Sequence, residues 1–325
     1  MATNSSMSNP ITIPPLSDRV IVSTLYISMC TIGLLLHAIC TPAVIKTIGL
    51  KNLNGFYVMS LNLYLGDVVT LMTYALYAAP CVLVSGQIFG LDAAKVVGGL
   101  NTVGFFSTLC MSFFISLSRA MAVAASTWNE LLFSPKLCCA YSILCWLLGV
   151  MVTVTDYLMT CLLIFDEKAY HFGYVCSLDT PPSVAPSTVL IYIGAYGVGL
   201  VYVLALVILV KKQWAVQAAS VQQHISRHKI RLLCQAFFIW LSLLANVIAF
   251  RLATLFETAM AAAIFVGVIV LSHFLVPPVC ALIFSKEIRA GAWRMLKGHN
   301  PTQVHPVMTV RNVNSATGGQ LHLRT

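Results

Sequence analysis

Seven apolar stretches, near residues 20–45, 56–84, 96–125, 137–164, 187–210, 230–256 and 262–285, take up most of this chain. Each is about long enough to cross a bilayer as a helix, which needs roughly 20 mostly apolar residues. In hydrocarbon the backbone must satisfy its own polar groups, so runs of this length predict helices. Of the 325 residues, 59% are hydrophobic and only 9% charged, more apolar than a soluble domain of this size could conceal. The connectors are too short to hold a further domain. The expected fold is therefore all-α: a seven-transmembrane helix bundle over 20–285, preceded by an outer tail, 1–19, and followed by a short amphipathic helix, 286–298, and a disordered cytoplasmic tail, 299–325. The first 19 residues are polar and Pro-rich and lack a basic segment with a short apolar core, so the first span itself is expected to direct insertion.

The basic residues orient the bundle. With the N-terminus outside, fifteen of the nineteen Lys and Arg fall on inner segments, leaving Arg19, Lys95, Lys168 and Arg251 for the outer half. The formal net charge of +9 then reflects topology and contact with anionic membrane lipid, and requires no nucleic acid. Asn4, in Asn4-Ser5-Ser6, is a glycosylation acceptor in the outer tail. The longest outer loop, 166–186, is expected to lid the bundle. Segment 211–231 carries five basic residues, equally suited to a cytoplasmic partner and to lipid head groups. In 286–297, Ile288, Ala292, Met295 and Leu296 recur at helical spacing with basic residues opposite, the pattern of a helix lying in the interface.

Charges inside apolar spans are costly and must face a shared interior. Asp67 lies mid-span in the second stretch, with Thr70 and Tyr74 at i+3 and i+7; this stripe suits either a site that changes with conformational state or a fixed knot of hydrogen bonds. Arg119 ends the third stretch on the inner side. Five turns earlier stands Asn101, with Phe105, Thr108 and Ser112 between, so one face of this helix joins an outer pocket to an inner cation roughly 27 Å away; the bland alternative is an arginine snorkelling to the lipid surface. Asp156 and Arg251 share the outer half and can pair with each other or with Glu257, or meet a polar ligand. Phe105, Phe106, Tyr192, Tyr196 and Phe250 are suited to an apolar cavity wall. His37 and His273 read as isolated packing residues. Most of the eleven cysteines are apolar fillers within spans. Cys81 and Cys176 both fall on the oxidising side, and two readings stay open: a bridge between them, or a free Cys81 packed in lipid. There is no His-Glu-x-x-His, Gly-rich phosphate loop or Gly-x-Ser-x-Gly, so neither an enzyme nor a cofactor is expected. The rival is a small-solute transporter or channel, which would show internal repeats or several mid-membrane charges; no repeat is visible.

Asn54-Gly55-Phe56-Tyr57 with Asn62, Leu63 and Asp67, then Ser118-Arg119-Ala120, Ser134-Pro135-Lys136, Trp146, Lys229, Cys234, Pro278 and Ser285-Lys286-Glu287-Ile288-Arg289 follow one another as in a known group. In order and spacing the sequence resembles the rhodopsin-like G-protein-coupled receptors, and among them the vertebrate odorant receptors, especially their divergent branch in fishes. The resemblance implies a plasma-membrane receptor, N-terminus outside, that binds a small odorant-like molecule in the outer half of the bundle and engages a heterotrimeric G protein at its inner face. Asn101, Thr102, Phe105, Asp156, Phe250 and Arg251 are the residues expected to meet the ligand, and Asp67, Arg119 and Pro278 those expected to take part in switching. Three departures stand out. The acidic-Arg-Tyr triplet has become Ser118-Arg119-Ala120, the helix-seven motif has become Pro277-Pro278-Val279-Cys280-Ala281, and the family's bridge cysteine falls on Ala94, so any clasp to Cys176 has to use another thiol such as Cys81. Asn101 stands where amine receptors keep a carboxylate and Leu271 where opsins keep the retinal lysine.

Overall fold

The computed structural model describes residues 14–48, 55–176, 186–218 and 227–297. Asn4, most of the outer tail and residues 299–325 lie outside the described residues. Seven helices are long and apolar enough to cross a membrane. They are α1 (Leu16–Ile48), α2 (Gly55–Val84), α3 (Gly90–Ala124), α4 (Pro135–Leu158), α5 (Pro186–Ala218), α6 (Arg227–Leu252) and α7 (Ala259–Phe284). An eighth, α8 (Lys286–Leu296), follows α7 directly. Most helices outrun their hydropathy windows, and α1 begins at Leu16, inside the segment read as tail.

Local chemistry sets the boundaries. In α2 the ladder widens to a π-turn over Tyr74–Ala78, where the Ala79 N–H reaches back to the Tyr74 carbonyl. The cause is Pro80, which has no N–H to offer and crowds the carbonyl four residues before it. The helix stops at Ser85, whose positive φ of 57° lets Gly86 N–H close on Cys81 O. Thr258 caps α7 by accepting from Ala261 N–H, and Ser285 caps α8 by accepting from Ile288 N–H. Arg289 donates to the Leu282 and Ile283 carbonyls at the end of α7, covering acceptors a helix C-terminus leaves unpaired.

Helix α3 is the axis of the bundle, packing against α2, α4, α5 and α6. Small residues permit this: a Cβ at Gly66 of α2 would stand 3.1 Å from the Gly104 carbonyl of α3, and one at Gly104 would stand 3.1 Å from the Gly66 carbonyl. Such mutual close approach is how helices pack where lipid removes the hydrophobic driving force. The outward side of α4 is apolar and exposed at Ile143, Leu147, Met151 and Val154, as a lipid-facing surface must be. Ile288 and Ala292 of α8 bury against Cys40, Ala43 and Val44 of α1 and Ala281 of α7, leaving basic Arg289 and Arg294 outward.

Two expectations fail here. The fourth span does not reach residue 164: α4 ends at Leu158, Thr160 turns the chain with φ 54°, and Cys161–Asp166 is a strand, β1, paired antiparallel with β2, His171–Cys176. A short continuous apolar run is ambiguous between strand and helix, and the window absorbed it into its neighbour. The register sets Cys161 directly opposite Cys176, and these two form the disulfide; Cys81 stays a buried thiol among α1, α2 and the hairpin. The Cys81–Cys176 bridge is thereby corrected: cross-strand neighbours are within bonding reach by construction, whereas Cys81 is turned into the core.

Candidate ligand cavity and switch residues

The hairpin lies over the end of the bundle where α1 begins and roofs a cavity of about 350 Å³. Among the described residues no disulfide joins it to α3. A Cβ on Gly98 of α3 would collide with the Leu163 carbonyl, so β1 rests directly on helix backbone. Tyr26 donates to the Tyr170 carbonyl at 2.5 Å, and Gln87 donates to Phe165 O at 2.7 Å and to Glu167 Oε2 at 3.0 Å while accepting from Tyr77.

Of the six residues assigned to a ligand, five share this cavity: Asn101, Thr102 and Phe105 from α3, and Phe250 and Arg251 from α6. Phe106 and Tyr192 also line it, whereas Tyr196 is turned outward. Arg251 lies over the Tyr192 ring, its Cζ 5.1 Å from the centroid. Asp156 is not in the wall. It is buried against the start of α5, where its Oδ1 accepts from Ser187 N–H at 3.4 Å, because α4 points that face at a helix N-terminus rich in unpaired donors. Sequence reasoning missed Asn246, one turn before Phe250 on the same face of α6. It is 2% exposed, and neither its Oδ1 nor its Nδ2 has a hydrogen-bond partner among the described residues. Its i, i+4 relation to Phe250 was the available signal.

Below the cavity floor lies Asp67, fully buried, its Oδ1 accepting from Thr108 Oγ1 at 3.3 Å. His37, expected to be isolated, stands beside it: Nε2 is 3.7 Å from Asp67 Oδ2 and 3.1 Å from the Phe274 carbonyl. A carbonyl can only accept, so Nε2 carries a proton and donates to Phe274. The ring of Phe274 lines the cavity, and Thr70, one turn from Asp67, lines it as well. Cavity wall and buried carboxylate are thus one turn apart on α2, and on α7 Phe274 both lines the cavity and accepts from the His37 beside that carboxylate. His273 of α7 pairs through Nδ1 with Ser242 of α6 at 2.9 Å.

At the opposite end Arg119 projects from α3 toward α2, its Cζ 3.6 Å from the centroid of the Phe56 ring. Its Nε is buried with no hydrogen-bond partner, and no carboxylate pairs with it, among the described residues. The preceding Ser118 is turned away and donates to Asn129 at 3.0 Å. Pro278 sits inside α7, its carbonyl facing the Cys40 thiol of α1 at 3.6 Å.

The family model described as serpentine type 7TM GPCR chemoreceptor Srx matches residues 27–290. Among curated proteins, somatostatin receptor type 5 of Rattus norvegicus is 25% identical over 225 residues, 66% of this chain; the match spans 58% of that receptor's length. Among solved structures, the crystal structure of squid rhodopsin superposes with a TM-score of 0.71 at 15% identity, covering 91% of each chain. That last likeness is one of fold.

Proposed function

The chain belongs to the Srx family of serpentine seven-transmembrane chemoreceptors of the G-protein-coupled class, and from this we propose that it is a plasma-membrane receptor, N-terminus outside, for a small odorant-like molecule held in the hairpin-roofed cavity. The supporting observation is the cavity itself: aromatic walls, a few convergent polar groups and a roof, the makeup of small-molecule sites. Binding favours a state in which α6 swings outward at the end remote from the hairpin, opening a cleft around Arg119 for a heterotrimeric G protein. The coupling is physical. A ligand that presses on Phe274 or Thr70 acts on the hydrogen bonds of His37 and Asp67, which tie α1, α2, α3 and α7 together. Odorant-like chemistry follows from the mostly apolar wall and from the sequence resemblance.

Cells expressing the chain with an olfactory G protein should raise cyclic AMP to members of an odorant panel. The Arg119→Ala variant, present at the surface in equal amount, should lose that response. A normal response from it would refute the proposed coupling.

A further inference from the structure

Most polar groups in the cavity wall have their donors engaged within the protein. Thr70 donates to the Gly66 carbonyl at 3.2 Å and Thr102 to the Gly98 carbonyl at 3.0 Å, each inside its own helix, and His171 Nδ1 donates to the Ala169 carbonyl at 3.0 Å. Arg251 and Thr188 have interactions of their own. Among the described residues no aspartate or glutamate lines the cavity. Asn246 is different. It is 2% exposed, Val247 beside it and Phe250 one turn on also line the cavity, and its Oδ1 and Nδ2 are both buried without a hydrogen-bond partner among the described residues. A buried amide in that condition has given up water for nothing, whereas nearly all buried polar groups in folded proteins are paired. The last torsion of an asparagine side chain is broad, so the amide can turn its edge to the cavity at little cost.

We infer that Asn246 pairs edge to edge with an amide on the ligand, so that the cavity takes a neutral lactam or primary carboxamide with an apolar body. This deepens the reading of the cavity as the ligand site and rests on it. A lactam or primary carboxamide carries N–H and C=O side by side. Against Asn246 its N–H donates to Oδ1 while its carbonyl accepts from Nδ2, two near-linear bonds at once. An alcohol has a single oxygen for both tasks and must bend both bonds. A lactone or ester offers acceptors only and leaves Oδ1 facing a lone pair. A carboxylate has the same fault and also gives up its hydration to a mostly apolar wall. The cavity, about 350 Å³, has room for a fused two-ring molecule of this kind.

The test compares three probes on the purified full-length receptor in nanodiscs: dihydrocarbostyril, a lactam fused to a benzene ring; dihydrocoumarin, the same molecule with oxygen in place of N–H; and N-methyl-dihydrocarbostyril, whose donor is blocked. Affinity is read by ligand-observed NMR and by the shift in melting temperature. Dihydrocarbostyril should bind about tenfold or more tighter than either of the others. In Asn246→Leu the lactam and the lactone should bind within about threefold of each other, while the ligand-free melting temperature holds or rises, since the substitution removes an unpaired buried amide. Asn101→Leu removes the other side-chain amide of the wall and should leave the lactam's advantage over the lactone in place. Equal binding of lactam and lactone by the wild-type receptor would overturn the inference, whatever the variants do. So would a lactam preference that survives Asn246→Leu, a fall in that variant's ligand-free melting temperature, or no binding by any probe. Binding in the expected order without activation of any G protein would leave the inference standing and defeat the signalling proposal. A cyclic AMP response to other odorants with no binding of these probes would do the reverse.

Discussion

Arg119 is held by an aromatic face instead of an acid. Where the resemblance expects a carboxylate next to the arginine, Ser118 turns to Asn129 and the guanidinium rests on Phe56. A cation–π contact is worth about 0.5–2 kcal/mol depending on how far it is desolvated. If it is what keeps Arg119 against α2 at rest, Phe56→Leu should raise ligand-independent signalling about two- to thirtyfold, measured as basal cyclic AMP at matched surface expression. Unchanged basal activity would remove Phe56 from the switch. His37 makes a second prediction at this scale. His37→Leu severs the link between the Phe274 carbonyl and Asp67 while keeping an apolar bulk in α1. Ligand affinity at the cavity should survive within about threefold and the maximal response should fall, because the lost contact lies on the path and outside the binding wall. A loss of affinity with full signalling would contradict this. The sequence could flag Asp67 and Arg119 because charge in a membrane span is conspicuous. It could not flag His37, whose meeting with Asp67 depends on how α1 is turned against α2, and for uncharged Asn246 it offered only the helical spacing from Phe250.

At the scale of elements, the membrane helices were legible because hydropathy alone dictates them, and α8 was legible from its amphipathic spacing. The hairpin was not. Its first strand is as apolar as the helix before it, and only pairing with β2 settles its conformation. The same pairing decides the disulfide, which sequence position could not. Two predictions follow from its geometry. Replacing Cys161 and Cys176 together by Ser releases a cross-link of sequence separation 15, which the chain-entropy account values at about 3 kcal/mol; thermal denaturation should show that loss, while Cys81→Ser should leave stability nearly unchanged. A large loss from Cys81→Ser would reinstate the other pairing. Gly98→Val places side-chain atoms where the Leu163 carbonyl packs, so the hairpin must lift from α3. The variant should keep its seven spans and its Cys161–Cys176 bond and lose ligand affinity by about tenfold or more, since the roof of the cavity shifts with β1. Undiminished affinity would mean the roof is not part of the site.

For the whole molecule, what matters is that sparse polar groups form a column inside an apolar bundle: Asn246 and Asn101 in the cavity, Thr70 at its floor, the His37–Asp67–Thr108 knot beneath, and Arg119 at the far end of α3. A fixed scaffold would not require both ends of one helix to be built this way, and a receptor does. The most direct test fills the cavity and listens at the opposite end. Thr102 of α3 is buried in the cavity wall, and Thr102→Trp occupies the space a ligand would take without touching the Arg119 region. In cells with matched surface expression, the wild-type chain should raise cyclic AMP to an agonist identified in the panel, and the Thr102→Trp chain should need at least about tenfold more agonist or give no response. A dose–response curve that coincides with the wild type would show that signals reach Arg119 by some other route, and that the cavity is not the receptor's ligand site.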